Sequence, residues 1–172
     1  SYAQVGMLKT ALSGASTAFQ LPMALLAERF GEITLLALGM AWVAAGLMII
    51  GLAGSFFHVL LLTFCAGTGG SVQHPVASAY ISRQYDGAGR ASALGILNFA
   101  GDLGKFIVPA VFAISLTLYG WRWSLFALGA ASLLFALLFW LTLRQRDHGA
   151  PTVQRTTATP VKGWGILHPT TF

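Results

Sequence analysis

The sequence is poor in charge. Its 172 residues hold five Asp/Glu and ten Lys/Arg, so charged residues make up only 9%. A soluble domain carries about 25%, and so small a set cannot coat an aqueous surface. A soluble enzyme and a solvated, disordered chain are both excluded. A single cysteine, Cys65, leaves nothing to pair with inside the chain, which excludes a disulfide-stapled secreted domain. Placed in an apolar run, Cys65 reads as a small buried apolar residue. Clustered basic residues are also missing. The net charge is +5, but the Lys/Arg residues are scattered between apolar runs, whereas a nucleic-acid face needs them together. No nucleic-acid partner is expected. The sequence has no metal-ligand cluster and no nucleophile–base pair. Its Gly-rich run, Gly67-Thr68-Gly69-Gly70, lacks the Gly-Lys-Ser/Thr ending of a nucleotide loop. No metal, no cofactor and no enzymatic activity are expected. The opening residues show no basic region, short apolar region and cleavage site in secretory order, and no initiator Met. The chain is therefore expected to be processed or part of something longer.

What the sequence has is apolarity, at 56% of residues. A bilayer core takes about 20 mostly apolar residues per helix. Between Glu32 and Arg83 there is no charged residue. That stretch is too long for one span, and Gly54-Ser55 breaks it. Five transmembrane helices are expected, over about 2–27, 33–54, 57–81, 91–117 and 123–143. Together they make an all-α membrane bundle over residues 1–147. Arg29, Arg83, Arg90, Arg144, Arg146, Arg155 and Lys162 then fall on one side, and Arg122 on the other. The positive-inside rule puts the larger set in the cytoplasm, with the N-terminus outside and Trp121 and Trp123 at the outer interface. Residues 148–172 are rich in Pro, Thr and Gly and read as a cytoplasmic tail or linker.

An internal repeat is visible. Gly14, Phe19 and Pro22 recur at a constant offset as Gly101, Phe106 and Pro109. The first and fourth spans run in opposite senses, as an inverted-topology repeat requires. Pro22, Pro75 and Pro109 are expected to bend helices that line a cavity.

The loop Ala24-Leu25-Leu26-Ala27-Glu28-Arg29-Phe30-Gly31-Glu32 resembles the G-x-L-A-D-R-x-G-R loop of the major facilitator superfamily. Leu26, Ala27, Arg29 and Gly31 match, Ala24 replaces Gly, Glu28 replaces Asp, and Glu32 stands where the family has a basic residue. The run from Gly67 to His74-Pro75, then Gly89-Arg90, then Asn98-Phe99-Ala100-Gly101-Asp102-Leu103-Gly104, resembles the fosmidomycin-resistance-like branch. The family's Arg is absent at Thr63, and Val108-Pro109 stands where an antiporter motif has Gly-Pro. The resemblance covers about residues 1–147, the second to sixth helices of the family's N-terminal half. It implies that further helices complete a transporter that rocks two halves around a central site. It also supports Glu28, Arg29 and Gly31, with Glu32, as a gating loop; the other reading is simple membrane-flanking charge.

Asp102 and Lys105 stand at i, i+3 on one helical face, midway along a span. Each isolated charge there costs roughly 2.5–3.5 kcal/mol on insertion scales. They read either as a substrate or proton site, with Asp102 titrating and Lys105 attracting an anion, or as a structural ion pair. His74, preceded by Gln73, suits either proton relay or an interhelical hydrogen bond. Gln20 is a further candidate for a cavity wall. Lys9 sits near enough to the outer end to snorkel, and His58 is expected to be solvated. Gly67, Gly70, Gly101 and Gly104 are expected to let helices approach closely.

The function expected is part of a secondary transporter of the bacterial inner membrane, moving a small organic solute with proton coupling. The partners are then lipid and the remaining helices of the same transporter. The second reading is a transporter-like structural subunit of a larger membrane complex, packed against other membrane subunits and carrying no solute.

Overall fold

The computed structural model describes residues 1–147, and the tail expected over 148–172 lies outside them. Five α-helices follow one another: α1 (Tyr2–Phe30), α2 (Glu32–Ile50), α3 (Phe56–Gly70), α4 (Gln73–Gln84) and α5 (Gly87–Asp147). There is no strand among the described residues, so the all-α membrane architecture holds.

Three stretches are long and apolar enough to cross a membrane: Glu32–Ile50, Phe56–Gln84 and Gly87–Arg144. The third is not one rod. At 1.5 Å per residue, residues nine apart on a continuous helix stand about 13.5 Å apart. Yet Ser115 Oγ donates to Ser124 Oγ at 2.8 Å. The chain turns back at Gly120, whose φ of 75° and ψ of 166° belong to a region open essentially to glycine alone. Two arms, residues 87–119 and 121–147, therefore stand in place of the expected fourth and fifth spans. Ser124 is fully buried and also donates to the Gly120 carbonyl at 2.8 Å, which locks the turn.

The opening helix differs from expectation. It is long enough to cross but does not reach the apolarity of the other three stretches. Lys9 and a set of Ser, Thr and Gln residues dilute it. The expected third span over 57–81 falls within one apolar stretch, Phe56–Gln84; its hydrogen-bond ladder is interrupted at Ser71-Val72, between α3 and α4, while both residues keep right-handed helical angles. Proline explains the interruption. Pro75 has no N–H for the Ser71 carbonyl, and its ring clashes with that carbonyl. Ser71 instead turns inward, its N–H and its hydroxyl both directed at the Thr68 carbonyl. Pro22 and Pro109 lie within helices that continue past them.

α2 is the spine. On one side it crosses α3 through glycines. A methyl group on Gly39 would lie 2.8 Å from the Gly69 carbonyl, and one on Gly46 would lie 2.7 Å from Ala66 Cβ. Trp42 Nε1 donates to the Cys65 carbonyl at 2.8 Å, which Thr68 Oγ1 also reaches, at 2.7 Å. Cys65 itself is exposed rather than buried. On its other side α2 meets the 121–147 arm, where Gly129 approaches Met48 and the Ala44 carbonyl. α1 packs on α3 where Gly67 approaches the Leu12 carbonyl and the fully buried Ala15. Lipid tails are as apolar as Leu, so contacts between membrane helices rest on close approach and on hydrogen bonds.

The loops gather at two ends. At one, α1 stops at Gly31 (φ 87°), whose N–H bonds the Ala27 carbonyl at 3.0 Å. There Glu32 meets Arg83 at 3.1 Å, above a small cluster of Ala27, Leu35, Leu36, Val72 and Val76 with Phe139 against it. At the other end, Arg122 Nη2 reaches the Ala53 carbonyl at 3.4 Å. Ser55 caps α3 and bonds His58 through both its backbone and ring nitrogens. Arg122 stacks on Trp121 at 5.1 Å and Arg144 on Trp140 at 4.6 Å, near opposite ends of one arm. α1 thus runs toward the Glu32–Arg83 end and the 87–119 arm runs away from it, the opposed senses that the repeat requires.

Candidate functional site

A cavity of about 500 Å³ opens where α1, α3 and α4 converge on the first arm of α5. Each wall follows from a local feature. From α1 come Leu12, Ser13, Ser16 and Thr17, on one face because they are spaced at i+3 and i+4. α3 adds Ala66, Gly67 and Gly70, whose missing side chains leave the room, and α2 adds Val43. Gln73 and His74 enter from the first turn of α4. The break ahead of Pro75 places that turn at the cavity. Lys105 closes the site from α5.

The structure therefore brings together Gln73, His74, Lys105, Gly67 and Gly70. Asp102 does not line the cavity. It stands beside it, accepting from Lys105 Nζ at 2.9 Å, and both side chains are about 70% exposed. Gln20 does not line it either. It continues the Ser13, Ser16, Thr17 stripe by one further turn of α1 and is half-buried. The three hydroxyls do not stand out along the chain. Their signal is the i, i+3, i+4, i+7 spacing of Ser13, Ser16, Thr17 and Gln20 along one face of α1. The chemistry of the walls is one ammonium, one imidazole, one amide and three hydroxyls around a floor of small residues. That suits a small polar solute with a negative group.

The packing glycines divide. Gly67 makes the close approach described above, and Gly70 faces Ser16 Oγ across the cavity. A methyl on Gly101 or on Gly104 would meet nothing within 4 Å, so the close contact expected of them is not made among the described residues. The first arm is covered on too few sides for its glycines to be needed. Of the loop residues, Gly31 supplies the turn and Arg29 lies over Phe30 at 5.9 Å. The Glu28 side chain lies outside the described ones. The ion pair to a neighbouring helix is made by Glu32, with the acid at the start of α2 and the base on α4.

A second, larger groove of about 670 Å³ lies between α1 and α3 and is walled by Gly6, Met7, Thr10, Ala11, Phe57, Leu60, Leu61 and Phe64. Its side chains offer one hydroxyl and no titratable group, so it offers little chemistry to a polar solute.

Comparison with known proteins agrees with this architecture. The chain is 31% identical over 120 residues to the fosmidomycin resistance protein of Escherichia coli K12, covering 70% of this chain and 29% of that protein. It is 25% identical over 148 residues to a probable L-galactonate transporter of the same organism, covering 86% and 33%. It is 31% identical over 137 residues to a probable sulfoacetate transporter of Cupriavidus necator, covering 79% and 32%. The chain thus spans about a third of the length of these curated relatives. A family model, the Major Facilitator Superfamily, matches residues 1–171. With its long apolar helices and this match, the chain is a multi-pass membrane protein and belongs to the Major Facilitator Superfamily.

Proposed function

We propose that the protein is a secondary transporter of the bacterial inner membrane, that it carries a small organic anion with protons, and that the residues described here form part of it. The observation that carries this reading is Lys105, an ammonium in the wall of a cavity otherwise lined by hydroxyls, Gln73, His74 and small residues. A cation inside a span is expensive and therefore marks a pathway or a partner. L-galactonate and sulfoacetate, named in two of the relatives, are both organic anions, which supports the same reading. In the family's manner the remaining helices complete the site, and one half rocks against the other around it. The Glu32–Arg83 end is then cytoplasmic, in keeping with the larger share of Lys and Arg there. The outward apolar faces meet lipid and further helices of the same transporter.

The test is uptake by the full-length protein in proteoliposomes under an imposed proton gradient, with L-galactonate and sulfoacetate as probes. Uptake of at least one is expected. K105Q should lose at least tenfold, the change that about 1.4 kcal/mol of lost binding produces, with unfolding temperature unchanged. Wild-type uptake by K105Q would remove Lys105 from the site. A protein that carries neither probe, and purifies only at fixed stoichiometry with other membrane subunits, would be a structural component instead.

A further inference from the structure

The cavity is charged at one point and hydroxylated along one wall. Ser13, Ser16 and Thr17 all line it from α1, and at 1.5 Å per residue they spread over about 6 Å of that helix. A hydroxyl on a helix can turn back to a carbonyl one turn earlier. Thr68, Thr117 and Thr142 do so. Among the described residues, the hydroxyls of Ser13, Ser16 and Thr17 make no such bond, and neither does the Gln73 amide that enters from α4. Each of these hydroxyls therefore keeps both a donor and an acceptor for something else. A solute hydroxyl also donates and accepts, so the two kinds of group satisfy one another. An ionised acid group only accepts, and a bare methylene chain does neither.

Charge sets a second limit. Lys105 is the one Lys or Arg among the described lining residues, and Asp102 Oδ1 already holds its Nζ at 2.9 Å. The ammonium can face one acid group of the solute. A second acid group on the same molecule would rest against hydroxyls, Gln73 and His74, with no second ammonium or guanidinium to meet it. Among membrane helices an unmatched full charge is far more costly than a hydroxyl that finds a partner.

We propose that the solute is a hydroxy acid with a single negative charge, one acid group on a carbon chain that carries hydroxyls, and that Ser13, Ser16 and Thr17 are the residues that select it. This deepens the anion-transport reading and rests on it. Lys105 takes the acid group. The hydroxyls of α1 and the Gln73 amide exchange hydrogen bonds with the hydroxyls of the solute. Gly67 and Gly70 leave the carbon chain its room in the cavity of about 500 Å³. An acid of the same length without hydroxyls leaves the polar wall without partners. A doubly charged acid leaves one of its own charges without one.

The test is binding to the purified full-length protein in mild detergent, followed by calorimetry. D-gluconate and L-galactonate serve as hydroxylated single anions. Hexanoate has the same carbon chain without hydroxyls, and sulfoacetate carries two charges. At least one of the hydroxy acids is expected to bind about tenfold or more tightly than hexanoate and than sulfoacetate. S13A/S16A/T17V should weaken that hydroxy acid by about two- to tenfold for each bond lost and leave hexanoate as it was, so that the preference disappears. Should the triple variant fail to fold, T17V against T17S reads the same preference, reduced in the first and kept in the second. Hexanoate or sulfoacetate bound as tightly as the hydroxy acids, or a preference undiminished in the variants that lack the hydroxyls, would overturn the assignment and leave the anion-transport reading standing. Failure of the wild type to bind any of these acids would overturn both.

Discussion

Gly39 and Gly69 face each other across the α2–α3 crossing. A methyl on Gly39 would stand 2.8 Å from the Gly69 carbonyl, and one on Gly69 would stand 2.9 Å from the Gly39 carbonyl and 2.6 Å from Trp42 Cδ1. Ordinary contact begins at 3.4 Å, so the helices must part by about 0.6 Å to accept the first methyl. Neither obstacle at Gly39 is a flexible chain end; the nearest is backbone. Overpacking of this kind costs about 1–3 kcal/mol. Replacing a helical glycine by alanine returns at most about 1 kcal/mol. Each of G39A and G69A should therefore lose up to about 2 kcal/mol. G69A should lose the more, because it also pushes on Trp42 and its bond to the Cys65 carbonyl. The double variant is the sharper test. Once the helices have parted for one methyl, the second finds much of its room already made. G39A/G69A should cost less than the two single losses together, with a coupling of at least about 0.5 kcal/mol. The assay is denaturant-induced unfolding of the purified full-length protein in mixed micelles, read by Trp fluorescence and helical circular dichroism. Strictly additive losses would refute a backbone-to-backbone crossing at this point.

Other consequences follow from contacts elsewhere. S124A removes a fully buried hydroxyl that joins Ser115 to the Gly120 carbonyl. Interhelical bonds in membrane proteins average about 0.6 kcal/mol, so a loss of that size in the same unfolding assay is expected, and a neutral result would count against the turn's lock. The pair of Glu32 and Arg83 has Arg83 largely exposed, and pairs of that kind contribute about 0.2–1 kcal/mol. A double-mutant cycle on E32Q and R83Q should return a coupling within that range and falling with salt; one above about 2 kcal/mol would refute a screened surface pair. P75A restores the N–H that the Ser71 carbonyl lacks. Spin labels at Leu61 and Ser82 should move apart as α3 and α4 straighten, and an unchanged distance would show that the break has another cause.

The amino-acid pattern exposes much of this fold. The apolar run bounded by Glu32 and Arg83 places α2 and the α3–α4 pair, because the apolar length of a span is a direct reading of membrane thickness. Pro75 announces a bend but not its size. How far the ladder is disturbed depends on what the neighbouring groups do, and here the Ser71 N–H and hydroxyl both turn to the Thr68 carbonyl. Lys105 and Gln73-His74 stand out because polar groups are rare in such a sequence. Ser13, Ser16 and Thr17 do not, since Ser and Thr are common in membrane helices and mark a cavity only when a second wall faces them. The glycines show the same limit: Gly67 and Gly104 read alike along the chain, and only their neighbours make one a contact and leave the other open.

The turn at Gly120 bears on how the chain enters a membrane. One glycine reverses the direction of two long apolar arms, which then clasp through Ser115 and Ser124. No slack separates them, so the arms suit insertion as a single hairpin rather than one after the other. With the Glu32–Arg83 end cytoplasmic, as proposed, the segment to be carried across the bilayer shrinks to a tip bearing Trp121, Arg122 and Trp123. One full charge would then make the passage, with the two indoles placed to hold the tip at the far interface.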